Sequence, residues 1–134
     1  MSVNGRLIAP GRARAAALVL GEPLSLWGGL DPASGTIIEG RHPQHGAVVT
    51  GRAMVMAGAR GSSSSASILA EAIRAGTAPA AIVLGEPDLI LALGAAVAEE
   101  LYGIQVPILV LPPEELADIR DGATIDIGPE ASAD

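Results

Sequence analysis

The sequence predicts an α/β fold, with a β-rich amino-terminal half followed by alternating helices and strands. Three observations support this class. Short apolar runs in the first third are separated by Gly and Pro, which is typical of strands. From residue 62 onward two segments have helical apolar spacing, and each is followed by an apolar run short enough to be a buried strand. This alternation predicts a partly parallel sheet, and 134 residues suffice for a single domain spanning 1–134.

The amino-terminal half contains five predicted strands, each bounded by Gly or Pro. They are Leu7–Ala9, Ala15–Leu20, Thr36–Ile38, Ala47–Val49 and Met54–Ala57. Between the second and third strands we expect a loop of about fifteen residues, from Gly21 to Gly35, which is long for a compact domain. The loop carries Trp27, and two interpretations are open: the indole fills one end of the core, or the loop has a function.

The second half contains three predicted helices and three predicted strands. Helical spacing over Ser62–Ala75 predicts a helix that ends at Gly76, and Asp88 is placed to cap a second helix that ends at Tyr102. The predicted strands are Ala80–Leu84, Ile108–Leu111 and Ala123–Ile127, and a short helix begins at Pro112–Pro113 and ends near Gly122. We expect the last few residues of the chain to be disordered.

Composition excludes several classes of protein. Without cysteine or lysine, the chain offers no thiolate nucleophile, no Cys-type zinc or iron–sulfur ligand set, no P-loop lysine and no Schiff-base lysine. A net charge of −7 and only two aromatic residues argue against binding nucleic acid. The charge is uneven, at +3 over residues 1–67 and −10 over residues 68–134. The amino-terminal half is therefore suited to face an anion, while the acidic half is equally typical of a solvated surface.

No apolar run is long enough to cross a membrane, and the first residues lack the apolar core of a signal peptide. We therefore expect a cytoplasmic protein that does not bind a membrane.

The most informative segment is the Gly- and Ser-rich stretch between the predicted strand Met54–Ala57 and the helix that follows. Gly61 permits a close approach of the backbone, and the amides of Ser62 to Ser65 are expected to point out of the helix start, where an anion is stabilised. A serine needs such donors and a cation to act as a base. Ser62 lies where these amide donors and the helix start are available, and Arg60 is the nearest candidate cation.

Other interpretations of these residues are open. One serine can be an ordinary helix cap, with the others facing solvent. A Ser-His-Asp hydrolase is disfavoured, because the sequence lacks a G-x-S-x-G motif and has only two histidines. Those two, His42 and His45, have a spacing compatible with metal binding, but no third ligand is evident, and we predict no metal site in this chain.

At these residues the chain resembles the small, swivel-domain subunit of the aconitase X family over essentially its whole length. The matching segments are Pro10–Arg12, Pro23–Gly29 with Asp31–Pro32, His42–Gln44, Gly61–Ser65, Thr77–Ala80 with Ile82–Val83, and Ala98–Gly103. The resemblance implies a β/β/α swivel domain that closes over the active site of a hydro-lyase. It also implies a partner, the large aconitase X subunit, which holds the iron–sulfur cluster.

The resemblance further implies site residues. In the wider superfamily the first serine of a Gly-Ser-Ser-Arg turn is the catalytic base, and this role falls on Ser62. Gly61, Ser63, Ser64 and Arg60 are then expected to bind substrate. Ser64 stands where the family pattern has Arg, so the cation that stabilises the alkoxide is either Arg60 or a residue of the large subunit.

The resemblance implies one of two substrates, cis-3-hydroxy-L-proline or mevalonate 5-phosphate, both 3-hydroxy acids that lose water. The Ala-, Gly- and Arg-rich, lysine-free composition suggests a GC-rich bacterial genome. A bacterial source favours the hydroxyproline, because the mevalonate 5-phosphate reaction belongs to an archaeal route. A rival hypothesis is a docking module without chemistry that uses the Trp27 loop as its contact; such a module has no need of Ser62.

Overall fold

The structure, a computed structural model, describes residues 2–128. In chain order the elements are β1 (Arg6–Ala9), β2 (Ala13–Val19), α1 (Leu26–Gly29), β3 (Leu30–Asp31), β4 (Thr36–Ile37), β5 (Ala53–Met56), α2 (Ser65–Ala75), β6 (Ala81–Leu84), α3 (Leu89–Tyr102), β7 (Ile108–Val110), α4 (Pro113–Ala117) and β8 (Thr124–Ile127). The predicted α/β class is confirmed. The expected disorder of the last residues concerns a part of the chain outside the described residues.

Six of the strands form one sheet in the order β1-β7-β6-β5-β2-β8. The four inner strands β7, β6, β5 and β2 are parallel, and β1 and β8 pair antiparallel at the two edges. Strands β3 and β4 form a separate antiparallel pair. The prediction of a partly parallel sheet is therefore confirmed.

Both faces of the sheet are covered. In β5, Met54 and Met56 face the core cluster that includes α2 and α3, whereas Ala53 and Val55 face the cluster that includes Leu116 of α4. Strand β6 alternates in the same way. Strands buried on both faces read as continuous apolar runs, which is why β5 to β7 were recognisable in the sequence.

Helices α2 and α3 pack closely because of Gly94. A Cβ atom at this position would lie 2.7 Å from the carbonyl oxygen of Ala66, a distance that no side chain tolerates.

Since α2 follows β5 and α3 follows the adjacent parallel strand β6, both helices begin at the carboxyl edge of the sheet. Ligands of open parallel sheets bind at this edge. Within residues 2–128, no helix is long and apolar enough to span a bilayer.

Two predictions in the amino-terminal half need correction. Ala47–Val49 is not a strand of the sheet, since only Val48 forms an isolated bridge, to Thr36. The run is flanked by Gly46 and Gly51, both with positive φ, and these turns leave no room for a longer ladder. The expected loop over residues 21–35 contains the single distorted turn α1 and the short strand β3.

Two helix boundaries also differ. The last helix, α4, ends at Ala117 rather than near Gly122, and in the turn that follows Asp121 accepts a hydrogen bond from the Val19 amide. Helix α2 begins at Ser65 rather than Ser62, because residues 62–64 form a separate turn. The predicted helix from Asp88 to Tyr102 is confirmed, with the Asp88 carboxylate accepting from the Leu91 amide at 2.9 Å.

Candidate active site

The predicted site residues lie together on the loop between β5 and α2. We call Gly61–Ser64 the serine turn. Gly61 has a φ of +111°, and a Cβ atom there would lie 2.8 Å from the Cβ of Ser25. Glycine is therefore required twice at this position, for its backbone conformation and for the close approach of Ser25.

Ser62 is held at the centre of the serine turn. Its Oγ accepts a hydrogen bond from the Ser64 amide at 3.0 Å, and its carbonyl oxygen accepts one from the Ser65 amide at 2.9 Å. The expectation that all four amides of Ser62 to Ser65 point outward was therefore wrong for the last two. Among the described residues nothing accepts from the amides of Ser62 and Ser63. A donor aimed at Oγ favours the negatively charged form of the hydroxyl.

A cavity of about 90 Å³ lies against the serine turn. Its walls include Arg60, Gly61, Ser62, Ser65, Asp88 and Leu91. The positive ends of α2 and α3 both meet this cavity, although the Asp88 carboxylate already occupies the start of α3. The volume is well below the ~300 Å³ at which small-molecule sites begin. By itself this cavity is therefore too small to enclose a substrate.

Arg60 lies beside the serine turn but is already paired. Its Nη2 is 3.3 Å from Oε1 of Glu22, and both side chains are about half exposed. The positive charge that the sequence offered at this position is thus balanced by a carboxylate from the preceding loop.

The Trp27 loop packs directly against the serine turn. The Trp27 amide donates to the buried Oγ of Ser65 at 3.2 Å, and Leu24 forms a parallel bridge with Ala59. The indole itself is 57% exposed. The interpretation of Trp27 as a plug of the core is therefore wrong, and its backbone contacts the first turn of α2 through Ser65.

The two histidines do not form a metal site. His42 is 3% exposed, its Nδ1 accepts from the Gln44 amide, and its Nε2 bonds to the Glu22 carbonyl. Since both ring nitrogens of His42 are engaged within the protein, neither is free to bind a metal. No group of three His, Cys, Asp or Glu side chains converges within residues 2–128. With no cysteine in the sequence, the donor set of this chain does not suit an iron–sulfur cluster.

The side chain of Ser64, at the N-cap position of α2, makes no capping hydrogen bond. The hydrogen bond from the Ser64 amide to the Ser62 Oγ has the pattern of a cap on the turn before α2, so the alternative that one serine is a cap stays open for Ser62. Sequence reasoning missed Glu22, Ser25 and Ser65 as parts of the site. For Ser65 the one available signal was its place on the buried side of the first turn of α2, where a serine hydroxyl needs a hydrogen-bond partner from another segment. Nothing local identifies the other two.

Comparison with known proteins identifies the family. The model of the aconitase X swivel domain matches residues 2–133. The chain is 48% identical over 106 residues to cis-3-hydroxy-L-proline dehydratase of Pseudomonas aeruginosa, covering 79% of this chain but only 18% of that protein. It is 35% identical over 121 residues to the phosphomevalonate dehydratase small subunit of Methanothermobacter thermautotrophicus, covering 90% of this chain and 88% of that one.

The fold agrees with the sequence comparison. The crystal structure of Thermococcus kodakaraensis aconitase X in its holo-form superposes with a TM-score of 0.81 at 25% identity, covering 91% of this chain and 87% of that chain. A relative solved by solution NMR superposes with a TM-score of 0.83 at 30% identity, with 96% and 93% covered. The chain has the swivel-domain fold and belongs to the aconitase X swivel-domain family.

Proposed function

We propose that this chain is the small subunit of an iron–sulfur-dependent hydro-lyase that dehydrates cis-3-hydroxy-L-proline. In this proposal Ser62 is the catalytic base of an active site shared with a large subunit. The observation that carries it is the position of the Ser62 Oγ in the turn just before α2, with the Ser64 amide donating to it at 3.0 Å. A docking module has no need of an activated hydroxyl group there.

The reaction breaks two bonds of the substrate. The Ser62 oxygen, as the alkoxide, takes the proton from the carbon that bears the carboxylate, and hydroxide leaves the neighbouring carbon, so that a pyrroline carboxylate forms. Release of the proton from Ser62 restores the base and, with the hydroxide, accounts for the one water lost. We assign binding of the substrate carboxylate to the unpaired amides of Ser62 and Ser63 and to the side chains of Ser63, Ser64 and Arg60. The iron–sulfur cluster belongs to the large subunit, since this chain has no cysteine with which to hold it.

Two observations favour the hydroxyproline over mevalonate 5-phosphate. The chain shares 48% identity with the Pseudomonas hydroxyproline dehydratase and 35% with the archaeal phosphomevalonate dehydratase small subunit. In addition, Arg60 is paired with Glu22, so the serine turn carries little net positive charge. This suits the single carboxylate of a zwitterion better than a phosphate with nearly two negative charges.

The exposed face of α3 is the surface that we assign to the large subunit. Leu89, Leu93, Val97 and Leu101 recur every four residues and are all exposed, Leu89 to 81%. We call these four residues the α3 stripe. The stripe begins next to Asp88 in the cavity wall, so a partner that completes the site also reaches it. Acidic residues lie at both ends of α3, and in an antiparallel pairing of two copies they would repel each other. A partner with basic groups around an apolar groove fits better.

Leu93→Glu is expected to raise the Kd of the complex with the large subunit by about 100-fold or more, because it loses ~1.5–3 kcal/mol of apolar burial and places a charge in the contact. Isothermal titration calorimetry measures the effect, with circular dichroism as a check on folding. Val48→Glu, at an exposed apolar residue away from α3, is the matched control and should bind normally. An unchanged Kd for Leu93→Glu, or self-association of the chain through this stripe, would contradict the assignment.

The complex with the large subunit tests the function. We expect it to contain iron and to release water from cis-3-hydroxy-L-proline, and we expect this chain by itself to be folded, colourless and inactive, since leaving of hydroxide needs a Lewis acid. Both substrates should be assayed side by side. Turnover of mevalonate 5-phosphate alone would overturn the substrate while leaving the reaction class and Ser62 intact. Turnover by the metal-free single chain would overturn the division of roles.

A further inference from the structure

We propose that His42 is a positioning residue for the active site: it fixes the backbone at Glu22, and through the Glu22 carboxylate it holds the Arg60 guanidinium beside Ser62. The hydrogen bonds that carry this inference are independent of the reaction. Its catalytic consequence rests on the proposed function.

His42 is a buried polar residue with a defined tautomer. The Gln44 amide can only donate, so Nδ1 of the ring accepts this hydrogen bond, at 3.0 Å. Nε2 therefore carries the proton and donates it to the Glu22 carbonyl oxygen, also at 3.0 Å. Replacing a buried imidazole that has both nitrogens hydrogen-bonded is costly. A former partner that is left buried without a hydrogen bond has lost its bonds to water and gained nothing in return.

Gln44, two residues after His42, binds the backbone of Gly21, the residue before Glu22. Oε1 of Gln44 accepts from the Gly21 amide at 2.8 Å. The His42–Gln44 segment thus holds two consecutive residues, Gly21 and Glu22, by their backbone, and Gln44 is itself held by the His42 ring. With its backbone held at these two points, Glu22 directs its carboxylate to Arg60 at 3.3 Å.

The arrangement points to function rather than to stability. Exposed Arg–Glu pairs contribute little to the free energy of unfolding, and the pair of Arg60 and Glu22 is half exposed. Arg74 and Glu71 form a comparable exposed pair on α2, in which the hydrogen bond from Arg74 lowers the pKa of Glu71. That pair lies within one helix and needs no support from another segment. What the buried histidine adds at Glu22 is a defined position of the guanidinium at the wall of the Ser62 cavity.

Two conservative variants separate the two hydrogen bonds of His42. In His42→Gln the side-chain amide nitrogen takes the place of Nε2 and keeps the bond to the Glu22 carbonyl. In His42→Asn the amide oxygen takes the place of Nδ1 and keeps only the bond from the Gln44 amide. We expect His42→Asn to lower kcat/KM of the complex by about 10- to 100-fold, as a displacement of about 1 Å does. His42→Gln should stay within about threefold of wild type.

A double-mutant cycle identifies the route of the effect. In an Arg60→Gln background, His42→Asn should cause no further loss, because the group that it positions is gone. In an Arg74→Gln background the loss should be undiminished. Equal losses in His42→Asn and His42→Gln, or losses additive with Arg60→Gln, would show a merely structural role and overturn the proposal. Should His42→Asn not fold, Glu22→Gln breaks the same pair without touching the buried ring, and the same cycle applies.

A second readout does not depend on turnover. In NMR spectra of the full chain, His42→Asn should shift the Arg60 Nε–H and Gly61 amide signals, and His42→Gln should leave them in place. Unmoved signals in His42→Asn overturn the proposal, as do shifted signals with unchanged kcat/KM. An inactive wild-type complex would overturn the proposed function instead, and the NMR result would then decide the positioning role alone.

Discussion

Ser62→Ala is expected to lower kcat of the complex by about 10²–10⁴-fold, the range for loss of a general base. The substitution removes the oxygen that the Ser64 amide holds at 3.0 Å, and no other described hydroxyl group accepts a hydrogen bond from an amide of the serine turn. Because one exchanged hydrogen bond contributes only about 0.5–1.5 kcal/mol to stability, the fold and the contact with the large subunit should survive. Steady-state kinetics and a thermal melt measure the two effects separately.

Two serines of α2, the helix that follows the serine turn, serve as comparisons for Ser62→Ala. Ser67 is exposed in the first turn of the helix, and Ser67→Ala should retain full activity. Ser65→Ala should be much milder than Ser62→Ala, and its effect should come through the Trp27 loop, since the Ser65 Oγ accepts from the Trp27 amide. If Ser62→Ala kept more than about a tenth of the wild-type rate, another group would be the base.

Gly61→Ala is expected to lower kcat/KM by about 100-fold and to destabilise the chain by about 2–5 kcal/mol. The new methyl group meets the Cβ of Ser25 at 2.8 Å, so either the serine turn or the Trp27 loop must move. A displacement of about 1 Å at a catalytic group costs about 10²-fold. Overpacking of this kind costs ~1–3 kcal/mol, and the positive φ of Gly61 adds about 1–2 kcal/mol for a residue with a side chain. Kinetics of the complex and urea unfolding of the chain measure these effects.

Gly51→Ala is the matched control for Gly61→Ala. Gly51 also has a positive φ, of +71°, but a Cβ atom there would meet nothing within 4 Å. Its replacement therefore carries the cost of the left-handed backbone, about 1–2 kcal/mol, without a clash near the site. Similar kinetic losses in the two variants would show that the approach of Ser25 to Gly61 is irrelevant to catalysis.

Much of the secondary structure followed from local signals. The helix from Leu89 to Tyr102 was predicted at its observed bounds, because its cap at Asp88 and its end at Gly103 act on neighbouring residues. Strands β6, β7 and β8 were predicted to within one residue at each end. Strands β6 and β7 are unbroken apolar runs because the sheet is covered on both faces there, whereas the edge strand β8 alternates buried isoleucines with more exposed polar residues. Ala47–Val49 has the same apolar character, but its flanking turns keep it out of the sheet.

The composition and the serine turn likewise determined much of the candidate site. The absence of cysteine excluded a cluster held by this chain, and the Gly61–Ser65 sequence by itself predicted that Ser62 lies beside a helix start. These inferences hold because they depend on residue chemistry and on adjacency along the chain.

Only the tertiary structure decided how the site is assembled. Trp27 meets Ser65, and Glu22 meets Arg60, in each case across 38 residues, and His42 reaches Glu22 across 20. No periodicity or capping rule links residues so far apart, because each contact depends on how the loop folds over the end of the sheet. For the same reason the sequence offered Arg60 as the nearest candidate cation and gave no partner for His42, whereas packing pairs Arg60 with Glu22 and buries His42 with both ring nitrogens hydrogen-bonded.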